Sequence, residues 1–191
     1  AWRYRHRARL SVREVAKKGT VLVGFHEKRS SFIADMKSCE ILPKRVSDLL
    51  VPLRELINSL SLRKKLPQIE LAVTDEALAL VLRVLEKLTA DDEAKLRQFQ
   101  KDYGVDFWYQ PKGPDSIYPM DPENATRLKL HHRETGVEVV FRPTDFTQVN
   151  HRLNEVMVTR ALRLLHLEPS SKVIDFFCGL GNFTLPLATR S

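Results

Sequence analysis

The sequence predicts two successive folds: an α+β domain, followed by the opening of a parallel α/β sheet. Period-two strand patterns and two stretches with helical apolar spacing, all before residue 143, predict the first fold. A helix pattern followed by a short apolar strand, a glycine-containing turn and a new helix predicts the second. We therefore expect domains at 1–142 and 143–191.

The N-terminal segment alternates between arginines and mostly apolar or aromatic side chains. This alternation predicts a strand from Arg3 to Arg13 with an arginine face and an apolar face. The turn residues Lys17-Lys18-Gly19 and the apolar run 20–25 predict an antiparallel partner strand. The arginine face could follow a nucleic-acid backbone, or it could be an ordinary solvated strand face.

Other periodicities predict the remaining elements. We expect helices over 46–60, where Pro52 predicts a kink or a late start, from Thr89 to Gly104, and from Asn150 to about Leu167. We expect strands at 68–74, 77–84, 105–110, 127–131, 137–142 and 172–177, a loop over 111–124, and a last helix beginning near Asn182.

The net charge of +7 lies entirely in the first 30 residues, where nine Lys and Arg side chains face two Glu. A local basic excess of this kind favours a nucleic-acid partner. No apolar run approaches the roughly 18 residues of a membrane span, and two cysteines are too few for a disulfide framework. We expect a cytoplasmic protein with no membrane association and no obligatory protein partner.

The segment 173–183 carries the strongest chemical motif. An apolar strand containing Asp175 leads into Gly179 and Gly181, which would let the backbone approach a ligand at the carboxyl edge of a sheet. Thr184 stands where a dinucleotide-binding motif has its third glycine, so the turn favours S-adenosylmethionine over NAD. The alternative is a tight strand-to-helix turn without a ligand.

The cysteines and histidines give weaker signals. Cys39 alone cannot specify a metal site, and Cys178 has no neighbouring base to activate it as a nucleophile. The histidines His131, His132 and His151 lack the spacing of metal ligands, and we expect them on the surface.

Four motifs in order resemble the bacterial RNA uracil-C5 methyltransferases, in particular those that act on 23S rRNA. The resemblance covers essentially the whole chain and rests on the segments 4–10 (YRHRARL), 23–25 with 33–43 (VGF and IADMKSCEILP), 146–150 (FTQVN) and 175–188 (DFFCGLGNFTLPLA).

The resemblance implies a Rossmann-like class I methyltransferase domain that begins in this chain, with S-adenosylmethionine (AdoMet) as methyl donor and 23S rRNA as partner. It implies a 4Fe–4S cluster in the full-length protein, with Cys39 as its fourth cysteine ligand. It implies that Gln148, Phe177 and Asn182 bind AdoMet, together with Asp175, Gly179 and Gly181 of the turn. It also implies that Arg9 holds RNA, and the strand pattern adds Arg3, Arg5 and Arg7 as RNA-binding residues.

The chain departs from the family pattern in several places. It has no run of three closely spaced cluster cysteines and no Ser-Cys-Asn-Pro motif for the thiolate that attacks uracil C6. We therefore expect a fragment of a longer enzyme, with no catalytic residue, no activity and no stable cluster of its own. The alternatives are a non-catalytic RNA-binding module, or a methyltransferase of the same family that acts on another uridine in 23S rRNA or tRNA.

Overall fold

The computed structural model describes residues 2–191. The strands are β1 (Arg7–Val15), β2 (Thr20–Gly24), β3 (Gln68–Val73), β4 (Leu78–Arg83), β5 (Asp106–Gln110), β6 (Tyr118–Pro119), β7 (Leu128–His132) and β8 (Val137–Phe141). The helices are α1 (Lys44–Ser59), α2 (Ala90–Tyr103), α3 (His151–Leu165) and the single turn α4 (Thr184–Leu187).

Six strands form one mixed sheet in the order β2-β1-β3-β4-β5-β6. Its neighbouring strands are antiparallel except β4 and β5, which are parallel because α2 carries the chain back between them. The strands β3 and β4 form a tight hairpin in which Val73 pairs with Leu78. The predicted strands up to residue 110 are confirmed, except for the start of the first.

The main core lies between one face of this sheet and helices α1 and α2. Alternation places Leu10 and Val12 of β1 in that core, with Arg9 and Arg13 exposed on the other side. Helix α1 begins at Lys44 and continues through Pro52, so the predicted late start is wrong. Its apolar residues on both sides of the proline are buried, and this packing stabilises the helix despite the missing N–H.

Both ends of α2 follow the prediction. The Thr89 hydroxyl accepts a hydrogen bond from the Asp92 N–H, and the Asp92 carboxylate accepts one from the Thr89 N–H. Gly104 ends the helix with a φ of 60°, a conformation that glycine adopts without a steric penalty.

The predicted strand from Arg3 to Arg13 is wrong at its beginning. Strand β1 starts at Arg7, and Arg3 has a φ of 59°. The reason is the choice of partner: the N–H groups of Arg3 and Arg5 donate to the carbonyls of Glu40 and Ile41. The first residues therefore lie along the 40–42 segment and not along β2.

The hairpin β7–β8 forms a separate two-stranded sheet, as predicted. It packs on the second face of the large sheet, where Leu128 and Phe141 bury Ala72 and Ala79. Short alanine side chains allow this close approach. The hairpin also contacts α3, since the Arg133 N–H donates to Glu155.

The predicted strand 172–177 is wrong, because residues 171–175 have no assigned secondary structure and a turn follows at 176–177. Ile174 and Phe176 are 77% and 78% exposed. A parallel strand exists only beside a hydrogen-bonded partner, and none of the described strands lies next to this segment. The chain is thus an α+β domain followed by helix α3, an irregular segment and a glycine-containing turn that leads into α4. Among residues 2–191, no helix is long and apolar enough to cross a bilayer.

Candidate functional site

Two of the four predicted RNA-binding arginines are engaged within the protein. The Arg3 guanidinium donates to the Cys39 carbonyl at 2.8 Å and pairs with Glu40 at 3.0 Å. Arg9 forms an ion pair with Glu70 at 2.7 Å, but its side chain remains two-thirds exposed. Arg9 can therefore contact a phosphate. The guanidinium of Arg3 is instead used to hold the 39–42 segment in place.

Arg5 and Arg7 have unused hydrogen-bonding capacity. The Nε of Arg5 and one terminal nitrogen of Arg7 are buried and have no hydrogen-bond partner among the described residues. Burial lowers the pKa of Arg7, although Glu70 and Asp145 oppose that effect. The guanidinium of Arg5 also lies 6.0 Å from the centre of the Phe25 ring, within cation–π range. The four arginines do not form one even ladder, because Arg3 and Arg5 precede the strand.

A cavity of about 520 Å³ opens where four parts of the chain meet. Its walls are the N-terminal segment, the β3–β4 turn, the hairpin β7–β8 and the beginning of α3. Its lining includes two exposed or half-buried aromatic rings, Trp2 and Tyr4, and two basic side chains, Arg133 and Arg152. A cavity of this size is typical of small-ligand sites.

Two histidines stack inside this cavity. The rings of His6 and His151 are 4.4 Å apart between centres and nearly parallel, at 19°. Burial and the neighbouring His6 lower the pKa of His151 to about 4, and Asp75 opposes this effect only in part. His151 is therefore neutral near pH 7, and the expectation that it lies freely on the surface is wrong. The expected surface position is also wrong for His132, which is buried and contacts Thr135 and Thr159.

The glycine turn is attached to α3 by a pair of amides. The side chains of Asn154 and Asn182 exchange two hydrogen bonds, of 2.7 and 2.9 Å, and Asn154 is 9% exposed. Asp175 accepts a hydrogen bond from the Thr184 hydroxyl at 2.5 Å. These contacts hold the turn compactly although the preceding strand is absent.

The two glycines of the turn have different roles. Gly181 has a φ of 86°, and a Cβ there would lie 2.8 Å from the Leu185 side chain, so packing within the turn requires glycine. At Gly179 a Cβ would meet only the Phe177 carbonyl, at 4.0 Å. The open space beside Gly179 therefore fits an approaching ligand.

The predicted AdoMet residues are only partly brought together. Asn182 lines the cavity, but Gln148, Asp175, Phe177 and the glycines do not. Gln148 and Phe177 are exposed, and Phe177 has a φ of 63°, which is strained for a side chain of this size. The sequence alone did not single out Asn154. The sequence feature that could have identified Asn154 is its four-residue spacing from the cap Asn150, which places it one helical turn into α3.

Cys39 is half-buried against the main core, and its N–H donates to the Ser47 hydroxyl at 2.8 Å. The other cysteine, Cys178, is exposed in the glycine turn. Residues 2–191 contain no group of three or more side chains that could hold a metal ion. An iron–sulfur cluster is held by several thiolates, so the described residues alone do not fit one.

Comparison with known proteins gives the assignment. The family model described as tRNA (Uracil-5-)-methyltransferase matches residues 1–191. The chain belongs to this family. The resemblance seen in the four sequence motifs is thereby confirmed.

Two relatives carry the name 23S rRNA (uracil(1939)-C(5))-methyltransferase RlmD. The protein of Ralstonia pickettii is 58% identical over 190 residues, which is all of this chain and 42% of the relative. That of Burkholderia lata is 60% identical over 191 residues, all of this chain and 41% of the relative. The chain therefore spans about two-fifths of the length of these relatives.

A solved structure is similar in fold. It is the tRNA (uracil-54, C5)-methyltransferase of Pyrococcus abyssi in complex with S-adenosyl-L-homocysteine. The similarity has a TM-score of 0.68 at 17% identity and covers 98% of this chain and 47% of that one. It confirms the predicted fold class.

Proposed function

We propose that the full-length protein transfers a methyl group from AdoMet to C5 of a uridine in 23S rRNA. The observation that carries the proposal is the match over the entire chain to relatives of that name, at 58–60% identity. The chain supplies substrate- and cofactor-binding residues. We propose that it has no catalytic residue and is inactive alone, since the family's nucleophile motif is absent.

The proposed AdoMet contacts are Gln148, Asp175, Phe177, Gly179, Gly181 and Asn182. The open side of Gly179 and the exposed Phe177 ring support close contact with a flat ligand. AdoMet supplies an electrophilic methyl group when bound. The role of these residues is to orient it, and Asn182 is held for that task by Asn154.

The proposed RNA contacts are Arg3, Arg5, Arg7 and Arg9. Arg5 and Arg7 support this role because both side chains are partly exposed and neither forms an ion pair within residues 2–191, so the accessible part of each guanidinium can meet a phosphate. Such contacts position RNA without reading its sequence. We place the boundary between this RNA-facing α+β domain and the methyltransferase domain at residues 142 and 143, and the protein in the cytoplasm.

We also propose that Cys39 is one ligand of a 4Fe–4S cluster in the full-length protein. Its half-buried position supports this, because partial burial protects a thiolate-bound cluster from solvent. Such a cluster takes four thiolates and this chain has two cysteines, so at least two of its ligands would lie outside residues 1–191. Iron analysis and the visible spectrum of anaerobically purified protein test this: the full-length protein should hold iron, and Cys39→Ala and the 191-residue chain should not.

The decisive experiment incubates full-length protein with methyl-labelled AdoMet and separate 23S rRNA and tRNA substrates. We expect 5-methyluridine in 23S rRNA by mass spectrometry, with a strong loss for Gln148→Ala. Methyl label found only in tRNA would contradict the proposed substrate but agree with the proposed class of enzyme. No transfer to either RNA would contradict the activity.

The second candidate function is a non-catalytic RNA-binding module, favoured by the basic N-terminal segment. The double variant Arg5→Ala/Arg7→Ala should weaken RNA binding and lower the slope of log affinity against log salt by up to about two. Gln148→Ala should leave RNA affinity unchanged. An RNA affinity that responds to the arginines, without any methyl transfer by the full-length protein, would favour the module.

A further inference from the structure

The cavity lined by Trp2, Tyr4, Arg133 and Arg152 is not part of the AdoMet site proposed above, apart from Asn182. We infer that it binds one nucleotide of a single-stranded RNA segment, with the base against Trp2 and Tyr4 and the phosphate beside Arg133 and Arg152. This inference rests on the proposed function and adds a binding site to it.

The charges of the lining favour an anion. Arg3 and Lys129 are in ion pairs with Glu40 and Glu138, outside the lining. Arg133 and Arg152 form no ion pair with any residue in the range 2–191, so their charges are available. A phosphodiester complements them, whereas the sulfonium cation of AdoMet does not.

Acidic groups reduce this excess only in part. Glu155 is turned to the backbone, where it accepts the Arg133 N–H at 3.0 Å. Asp75 lies in the turn between β3 and β4 and also lines the cavity. The lining itself thus contains four Arg and Lys side chains and these two carboxylates, and two of the four cations, Arg3 and Lys129, are paired with carboxylates outside the lining.

The aromatic side chains provide a stacking surface. Trp2 is 73% exposed, which is unusual for the largest apolar side chain and leaves its ring free for a base. The stacked pair His6 and His151 extends the aromatic wall, and the low pKa of His151, about 4, keeps that ring uncharged.

The position of the cavity agrees with this assignment. One wall is the segment 2–6, which includes Arg3 and continues directly into Arg7 and Arg9 of the proposed RNA contacts. Another wall contains Asn182 of the glycine turn. An RNA strand that follows Arg9 and Arg7 towards the AdoMet turn would therefore pass this cavity.

The test compares two arginines on the same helix in the full-length protein. Arg152 lines the cavity and Arg160 does not, while both are exposed and neither is ion-paired within residues 2–191. Binding of a fluorescein-labelled oligouridylate, measured by anisotropy, should weaken roughly 3- to 10-fold in Arg152→Ala, with a salt slope smaller by about one. Arg160→Ala should bind like the wild type.

Trp2→Ala tests the base contact. Because the Trp2 side chain is exposed, its removal should leave the fold intact. We expect roughly 5-fold weaker binding or more from the loss of one stacked base. Ultraviolet cross-linking of a 4-thiouridine oligomer to a peptide containing Trp2 or Tyr4 should confirm the contact in unmodified protein.

Three outcomes would overturn the inference. They are equal losses of RNA affinity in Arg152→Ala and Arg160→Ala, wild-type RNA affinity in both Arg152→Ala and Trp2→Ala, or a loss of AdoMet binding in Arg152→Ala with RNA affinity intact. These binding assays need no turnover. A failure of methyl transfer would therefore contradict the proposed function and not the nucleotide site. Wild-type RNA affinity in the cavity variants would contradict the nucleotide site and not the proposed function.

Discussion

The six-stranded sheet region and the segment 151–191 differ sharply in how much apolar surface they bury. The main core beneath the sheet contains 28 buried residues, whereas the C-terminal cluster consists of Val158, Leu162 and Leu187. Burial of apolar surface is the dominant stabilising contribution in folding. The first region therefore has the means to fold by itself, and the second depends on its contacts with the hairpin β7–β8.

The exposed side chains of the second region support the same conclusion. Ile174 and Phe176 are more than three-quarters exposed, and Phe177 is fully exposed. Segments with few buried contacts open with small free energies. In the 191-residue chain we expect amides of 172–191 to exchange with solvent far faster than those of β3 and β4.

The largest effect expected is that of Phe107→Ala, in strand β5. Phe107 is 1% exposed and packs against Phe99 at the centre of the core. The substitution should lower the free energy of unfolding by about 3–5 kcal/mol, measured by urea denaturation. The matched variant Phe176→Ala should change it by less than about 0.5 kcal/mol. A comparable loss in both variants would show that the C-terminal segment is packed after all.

The same contrast explains which parts of the fold the sequence predicted. The β3–β4 hairpin and the cap of α2 depend on neighbours within a few residues, so local patterns sufficed. The strand at 172–177 had the right apolar character, but a strand also needs a partner that the pattern does not contain.

The cavity is a different case, because its walls come from distant parts of the sequence. His6 and His151 are 145 positions apart in the sequence, and no local pattern indicates that their rings stack. Asn182 was predicted from the family motif, but its partner Asn154 required the packing of α3 on the turn. The motifs predict which residues contact the ligand, and they contain no information on how distant segments pack around it.

The next largest effect is the pH dependence caused by His151. Its pKa is lowered from 6.5 to about 4 in the folded protein, so the unfolded chain binds the extra proton between these values. Stability should therefore be full above pH 6.5 and fall as the pH decreases to about 4, by up to about 3 kcal/mol. Urea unfolding across this range measures the slope.

Two variants separate His151 from other acid-sensitive groups. His151→Gln should flatten the slope between pH 6.5 and 4, while His131→Gln, at an exposed position in β7, should keep it. An unchanged slope in His151→Gln would contradict the burial of this ring against His6.

A smaller effect is expected from Asn154→Ala. The substitution leaves the Asn182 amide without its two hydrogen bonds, which should cost about 1–3 kcal/mol. Because the pair joins α3 to the glycine turn, faster amide exchange should be confined to those two elements. Asn124→Ala, in an exposed loop, should leave exchange unchanged. A global loss of protection would show instead that the two regions unfold together.

The smallest effects are expected from substitutions at two helix caps. One cap lies in each region, so the two substitutions can be compared directly. Thr89 caps α2, and Asn150 caps α3 by accepting the Leu153 N–H at 3.0 Å. Each replacement by alanine should cost about 1 kcal/mol. For Thr89→Ala the loss should appear in the global urea midpoint, because α2 is part of the main core. For Asn150→Ala it should appear only as faster amide exchange in α3. If both losses appeared in the global midpoint, the C-terminal segment would belong to the same cooperative unit as the sheet, despite its three-residue core.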